Sequence, residues 1–238
     1  MPTAAPSVEA ISLAEQAYRA IRRMIISLEL RPGAVIDERF LIGRLRIGRT
    51  PIREALRQLA REHLVDVYPR RGMFVTTVEV RDLASLSEVR SVLESYACLL
   101  AAEHATVADR DDLAALAAKL TRRGPLDQLA SMELDERIHR AIYRCAHNAL
   151  LEQTLEEYYV LALRIWHLAL DQAHGLDAMV RQHEPLLEAI RLGRGREASK
   201  LMRAHVDEFQ LAMRQALLPP APTVGVSRTS GGLTRVEA

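Results

Sequence analysis

Four side chains in the second half of the chain are of types that hold metal ions. Asp135 and His139 stand four apart in Leu134-Asp135-Glu136-Arg137-Ile138-His139, a spacing that puts a carboxylate and an imidazole on one face of a helix. His183 opens one expected helix and His205 lies inside the next. If those helices are antiparallel neighbours, both rings can turn inward. Three imidazoles and one carboxylate suit Zn, Ni, Mn or Fe, and leave coordination positions for water or a ligand. Spacing alone equally allows four unrelated polar residues on three helices.

A second constellation lies near the N-terminus, in Arg49-Thr50-Pro51-Ile52-Arg53. Arg53 and Arg57 share one helix face, while Ile52, Ala55, Leu56 and Leu59 form the opposite, apolar one. The planar guanidinium fork can hold two acceptors on a guanine or bridge phosphates. Thr50, read as the helix N-cap with Pro51 at the first helical position, can also donate to a phosphate. The alternative is a solvated, arginine-rich face. Enzyme signatures are weak: Glu136 and His139 form one Glu-x-x-His, but a di-iron bundle needs a second such pair and two further glutamates. No His-Glu-x-x-His, Gly-x-Ser-x-Gly or phosphate-binding glycine loop occurs.

The elements that must position these groups are helical. The 238 residues are 49% hydrophobic, 26% charged and only 4% aromatic, a composition that buries a core and favours helix over sheet. No apolar run reaches the about 18 residues of a membrane span, the start lacks a secretory pattern, and two cysteines make no disulfide scaffold. A cytoplasmic location is expected. The net charge of +1 is unevenly spread. Residues 1–78 carry thirteen arginines against eight acids, for +5, and the remainder sums to −4, so the N-terminal part can meet a polyanion.

Residues 1–11 are expected to form a loose arm. Apolar periodicity predicts a helix over 12–28 with a Ser12/Glu15 capping box, a break at Arg31-Pro32-Gly33, a short helix over Glu38–Leu45 and a third over 51–63. Two strands follow, over Val65–Tyr68 and 73–77, joined by Pro69-Arg70-Arg71-Gly72. This order describes a winged helix-turn-helix over 12–78, whose third helix enters a major groove and whose wing tip presents Arg70 and Arg71. Beyond it, helices are predicted over 80–105, 109–122, 126–146, 149–173, 177–192 and 195–217, six antiparallel members of an all-α bundle spanning 80–217. Breaks fall at Asp109, Gly124-Pro125, His147-Asn148, Gly175 and Gly193/Gly195. A Pro-, Gly- and Ser-rich tail, 218–238, is expected to be disordered.

Leu30-Arg31-Pro32-Gly33, Asp37-Glu38-Arg39, Arg49-Thr50-Pro51-Ile52-Arg53-Glu54-Ala55-Leu56 and Pro69-Arg70-Arg71-Gly72 together closely resemble the winged-helix domain of GntR-superfamily transcriptional regulators. The resemblance implies that Arg39, Arg49, Thr50, Arg53 and Gly72 contact operator DNA. The turn before the third helix departs from the family pattern: Arg46-Ile47-Gly48 replaces Gly followed by Val-Ser, so Arg46 occupies a backbone position that suits glycine, and a phosphate-contacting hydroxyl is missing at Gly48. The helical half resembles the FCD ligand-binding domain of the FadR-type branch. Its Asp-x3-His with two later histidines is matched by Asp135, His139, His183 and His205, and the count of six helices resembles the VanR-like subgroup. The resemblance implies a divalent metal ion and a small organic acid effector. Arg90 is a candidate to hold a carboxylate or, alternatively, to pair with Glu94 at i+4. Asn148 and Arg164 complete the candidate effector residues, although capping the next helix and plain packing are the competing roles. A homodimeric repressor on double-stranded operator DNA follows, with no membrane partner. The alternatives are a constitutive DNA-binding protein and a helical-bundle metalloenzyme.

Overall fold

The computed structural model describes residues 11–121, 127–170 and 176–217. The expected tail, all of the arm but Ile11, and the breaks at Gly124-Pro125 and Gly175 lie outside the described residues. The fold is mainly helical, a winged helix-turn-helix followed by a helical domain.

The first helix, α1 (Leu13–Ile26), is capped by Ser12, whose hydroxyl accepts from the Glu15 amide. The reciprocal half of the expected box is replaced by an ion pair from Glu15 to Arg19 at 2.6 Å. Ala17, Ile21, Met24 and Ile25 turn inward and pack on α3. Helix α2 (Glu38–Leu45) has the predicted bounds, with Asp37 accepting from Arg39 and Phe40 amides. It ends at Arg46 in the left-handed conformation, φ 55°, so an arginine does carry the glycine-like geometry foreseen there. Helix α3 (Arg49–Arg61) buries Ile52, Ala55, Leu56 and Leu59.

The third helix starts two residues earlier than predicted. Gly48 is the N-cap, and Thr50 and Pro51 sit within the first turn. The first turn has no intrahelical use for its N–H groups, so proline is tolerated there as readily as at the first position. Strands β1 (Val65–Tyr68) and β2 (Gly72–Val75) pair antiparallel with Val65 opposite Val75 and Tyr68 opposite Gly72. The second strand is displaced from the predicted 73–77 because Gly72, at φ 102°, closes the turn as a paired residue. The Pro32-Gly33 break has a further use. Gly33, Ala34 and Ile36 exchange backbone hydrogen bonds of 2.8–2.9 Å with Met73 and Val75, adding a third run of chain beside the wing.

A 3-10 turn (Val80–Asp82) leads into α4 (Leu83–His104), which packs against α10 (Gly195–Leu217), α6 (Gln128–Cys145) and α7 (Ala149–Ala169). Helix α5 (Val107–Leu120) carries the one complete capping box among the described residues, Thr106 with Asp109. It leans on α9 (His183–Arg191). Gly195 begins α10 where an added Cβ would stand 3.2 Å from the Leu99 carbonyl of α4, so the absence of a side chain lets the two helices meet closely.

The helical domain has seven described helices, which corrects the count of six and with it the feature that suggested the VanR-like subgroup. The predicted 177–192 segment is two helices, α8 (Leu176–Arg181) and α9, parted at Gln182. Pro185 is the cause: it cannot donate to the Arg181 carbonyl, and its ring crowds that group.

Candidate metal centre and nucleic-acid interface

Helix α4 buries an unusual row for a packed helix: Ser87, Arg90, Ser91, Glu94 and Ser95. Such a row is stable only if its polar groups find partners. Two of the partners are in the row itself, Glu94 for Arg90 and the Ser91 carbonyl for Ser95, and the Glu94 carboxylate also meets His139 of α6. Asp135, His139, His183 and His205 are all buried, and each offers one ligand atom within 4.8 Å of the others. His139 and Asp135 come from one face of α6, as their spacing requires. The α8–α9 break places His183 at the first turn of α9, and α10 supplies His205.

The groups behind the imidazoles fix their orientation. The Nδ1 of His139 lies 2.7 Å from the Glu94 carboxylate, and the Nδ1 of His183 lies 2.9 Å from the Val180 carbonyl. Carboxylates and carbonyls only accept, so these contacts place a proton on each Nδ1, and the neutral form of such a ring keeps Nε2 as a lone pair. The two Nε2 atoms nevertheless face each other at 3.1 Å, and His205 Nε2 stands 3.3 Å from that of His139. A shared proton is disfavoured because burial, with His139 adding to it, depresses His183 to about 4. Burial, then His183 and His139, push His205 down as well.

A divalent cation would resolve this conflict. Imidazole nitrogens about 2.1 Å from a tetrahedral ion stand about 3.4 Å apart. Asp135 Oδ1 is buried with no hydrogen-bond partner, while Oδ2 accepts from Tyr159 at 2.6 Å. The donor set and its orphaned oxygen therefore fit a metal. Glu136, the acid of the Glu-x-x-His, pairs with Arg140 at 2.7 Å and stays outside the cluster.

Three contributors were not among the candidate residues. Burial raises Glu94, but Arg90 and His139 outweigh it and hold the carboxyl at about 2. Glu94 thus backs His139 as a carboxylate. Tyr159 orients Asp135, and Tyr143 lies 3.3 Å from His139 Nδ1. Tyr143 stands four residues after His139, a signal that could have found it; Tyr159 is on another helix and offered none.

The candidate effector residues separate. Arg90 is buried and gives its Nε to Glu94 at 2.6 Å, the i+4 pairing weighed as its alternative, with its guanidinium 5.3 Å from the Phe209 ring centre. Its Nη1 has no partner, so one donor edge remains for an anion. Asn148 is exposed and caps α7 by accepting from the Leu151 amide, away from the cluster. Arg164 is buried but reaches the other way, donating to the Thr76 hydroxyl at 2.9 Å and to the Thr76 carbonyl just past β2. Trp166 packs its ring 5.9 Å from Phe209.

In the winged helix, Arg39, Arg49, Thr50, Arg53 and Arg57 are exposed at α2 and α3, and Arg70 and Arg71 at the tip of the wing, followed by Gly72. No side chain caps α3, so its first-turn N–H groups and positive end face outward, as a phosphate requires. An ion pair joins the winged helix to the helical domain: Arg22 of α1 meets Glu156 of α7 at 3.3 Å, a carboxylate that Arg140 of α6 holds from within the helical domain at 2.8 Å. No described helix is long and apolar enough to cross a membrane.

Residues 13–75 match the family described as "Bacterial regulatory proteins, gntR family", and residues 85–208 match the FCD domain. The HTH-type transcriptional repressor RspR of Escherichia coli is 26% identical over 207 residues, covering 84% of this chain and 89% of that protein. An uncharacterized HTH-type transcriptional regulator in an unstable DNA locus of Streptomyces ambofaciens is 31% identical over 193 residues, covering 79% of this chain and 80% of its own length. The solved structure of E. coli McbR/YncC superposes with a TM-score of 0.72 at 23% identity, covering 87% of this chain and 99% of that one, and so shares the fold. With a winged helix ahead of an FCD domain, the chain belongs to the GntR family of DNA-binding transcriptional regulators and is not an enzyme.

Proposed function

We propose that the protein is a metal-dependent, effector-responsive repressor acting as a homodimer. The observation that carries this is the buried convergence of three imidazole Nε2 atoms and the unpartnered Asp135 oxygen inside the domain that follows the winged helix. Asp135, His139, His183 and His205 hold a divalent ion, with Glu94 and the Val180 carbonyl orienting two of the rings. When bound, that ion supplies positive charge and open coordination positions to a small organic acid. The free Nη1 of Arg90 offers the acid a second, charge-assisted contact.

Helix α7 links this site to DNA binding. Tyr159 touches Asp135, and Arg164, on the same helix, touches Thr76 at the base of the wing. An acid that binds one arrangement of these contacts better than the other shifts the population between them. Arg39, Arg49, Thr50, Arg53, Arg57, Arg70, Arg71 and Gly72 make the operator contacts. The residues 12–78 and 80–217 form the two working units. A two-fold axis presents two recognition helices to a palindrome, and α4 carries an outward apolar stripe suited to the pairing, Val89, Val92 and Tyr96, with Val92 57% exposed.

The test uses the full chain. Elemental analysis of protein purified without added metal should give one divalent ion per chain, lost in the His183→Ala/His205→Ala variant. Binding to DNA from upstream of its own coding sequence should weaken when one of a panel of small carboxylic acids is added. Metal retained in the double variant refutes the site, and operator binding indifferent to every acid refutes the switch.

A further inference from the structure

One contact on the DNA-binding face pairs opposite charges where only cations are expected. The Arg53 Nε donates to both oxygens of Glu38, at 2.9 and 3.0 Å. Arg53 lies on the exposed face of α3, its side chain half exposed, whereas Glu38 is only 20% exposed. Glu38 is the first residue of α2, and Asp37 clamps that turn by accepting from the Arg39 and Phe40 amides. The carboxylate is thus fixed to a rigid turn, at the helix end that favours negative charge.

We propose that Glu38 is the positioning residue that turns Arg53 from a general phosphate binder into a base reader, and that it sets the protein's discrimination among DNA sequences. This rests on the role proposed above for Arg53. A guanidinium can offer a base its Nη1/Nη2 fork or its Nε/Nη2 edge. With Nε committed to Glu38, the terminal fork remains, the geometry that matches the O6 and N7 of guanine. A side chain already held also has less rotamer freedom to lose on docking. The same carboxylate repels the phosphate backbone on every sequence alike, and that term carries no sequence information. Its two effects have opposite signs on specific and non-specific binding.

The experiment selects a randomised duplex pool on the wild-type protein, then measures affinity by fluorescence anisotropy for the consensus duplex and for a shuffled duplex of the same composition. In Glu38→Ala, affinity for the consensus should fall by about tenfold, as expected when a bidentate base contact is loosened. Affinity for the shuffled duplex should rise, and its dependence on salt should steepen as a repulsive charge is removed. Glu38→Gln keeps an acceptor for Nε and should recover part of the discrimination. A merely structural tie between α2 and α3 predicts instead that both affinities fall together, which overturns the proposal. A wild-type protein that selects no consensus overturns the operator reading and this inference with it. A consensus that Glu38→Ala still prefers by the same ratio overturns the inference alone.

Discussion

Arg164 offers a sharp test of how the two domains are joined, because two substitutions that look mild should rank against intuition. Its side chain is fully buried, and burial holds its guanidinium at about 10 instead of 12.5. That depression corresponds to about 3 kcal/mol opposing the charged form. Its described partners are the hydroxyl and carbonyl of Thr76. Hydrogen bonds from a charged donor contribute about 1.5–3 kcal/mol each, so the two together outweigh the burial penalty by a small margin. Arg164→Met removes both the bonds and the penalty, and Thr76 is only half buried, so water can satisfy it; the expected loss is about 1–2 kcal/mol. Arg164→Lys keeps a buried charge but loses the planar fork that meets two acceptors at once, and should cost about 3 kcal/mol or more. The assay is urea unfolding of the full chain, comparing midpoints at unchanged slope. The order expected is wild type, then Arg164→Met, then Arg164→Lys. A lysine variant as stable as the methionine one would refute the accounting of buried charge against paired donors.

Arg53→Ala should weaken binding to the selected DNA by about 1–3 kcal/mol and relax preference at one base pair; a uniform loss on all sequences would make Arg53 a phosphate contact instead. Gly48→Ser should strengthen DNA binding in a titration, because a Cβ there meets nothing within 4 Å and a hydroxyl would cap α3 beside the backbone. Removing metal with a chelator should lower the melting temperature of the wild type and leave His183→Ala/His205→Ala unmoved; at a hundredfold excess of metal over its dissociation constant the difference is about 2.7 kcal/mol. The Thr106 hydroxyl, with His147 beside it, holds the Asp109 carboxyl at about 2, below its ordinary 3.8. The contribution is therefore present above pH 3.8 and is lost as pH falls toward 2. Asp109→Asn should cost about 1 kcal/mol at pH 7, and its unfolding curve should approach that of the wild type in acid.

Local pattern carried the sequence reading as far as local physics reaches. The bounds of α2, Glu38–Leu45, were legible, and Ile52, Ala55, Leu56 and Leu59 declared the buried face of α3. Asp135 and His139 were legible as one helix face because four residues make about one turn. What closes the site was not legible in the same way. Tyr159 reaches Asp135 across a helix–helix interface, a contact with no sequence period. Arg164 stood in the sequence as a candidate effector residue with plain packing as its alternative, and its length carries it to Thr76, eighty-eight residues earlier in the chain. The break at Gln182 was missed because Pro185 acts four residues upstream, on the Arg181 carbonyl. Gly33 read as a full stop when it also donates to Val75, since strand pairing is a long-range property.

That break at Gln182 makes the two oriented imidazoles unequal before natural variation. His139 is steered by a side chain, Glu94, so one nucleotide change can replace the carboxylate with an amide or a shorter acid and retune the basicity of the ring. His183 is steered by the main-chain carbonyl of Val180, which every residue at that position would supply. Drift among descendants of this chain can therefore adjust the His139 side of the site in small steps, while the His183 side changes only when the backbone does. Pro185, remote from the ligand atoms, becomes the position whose loss would be felt there.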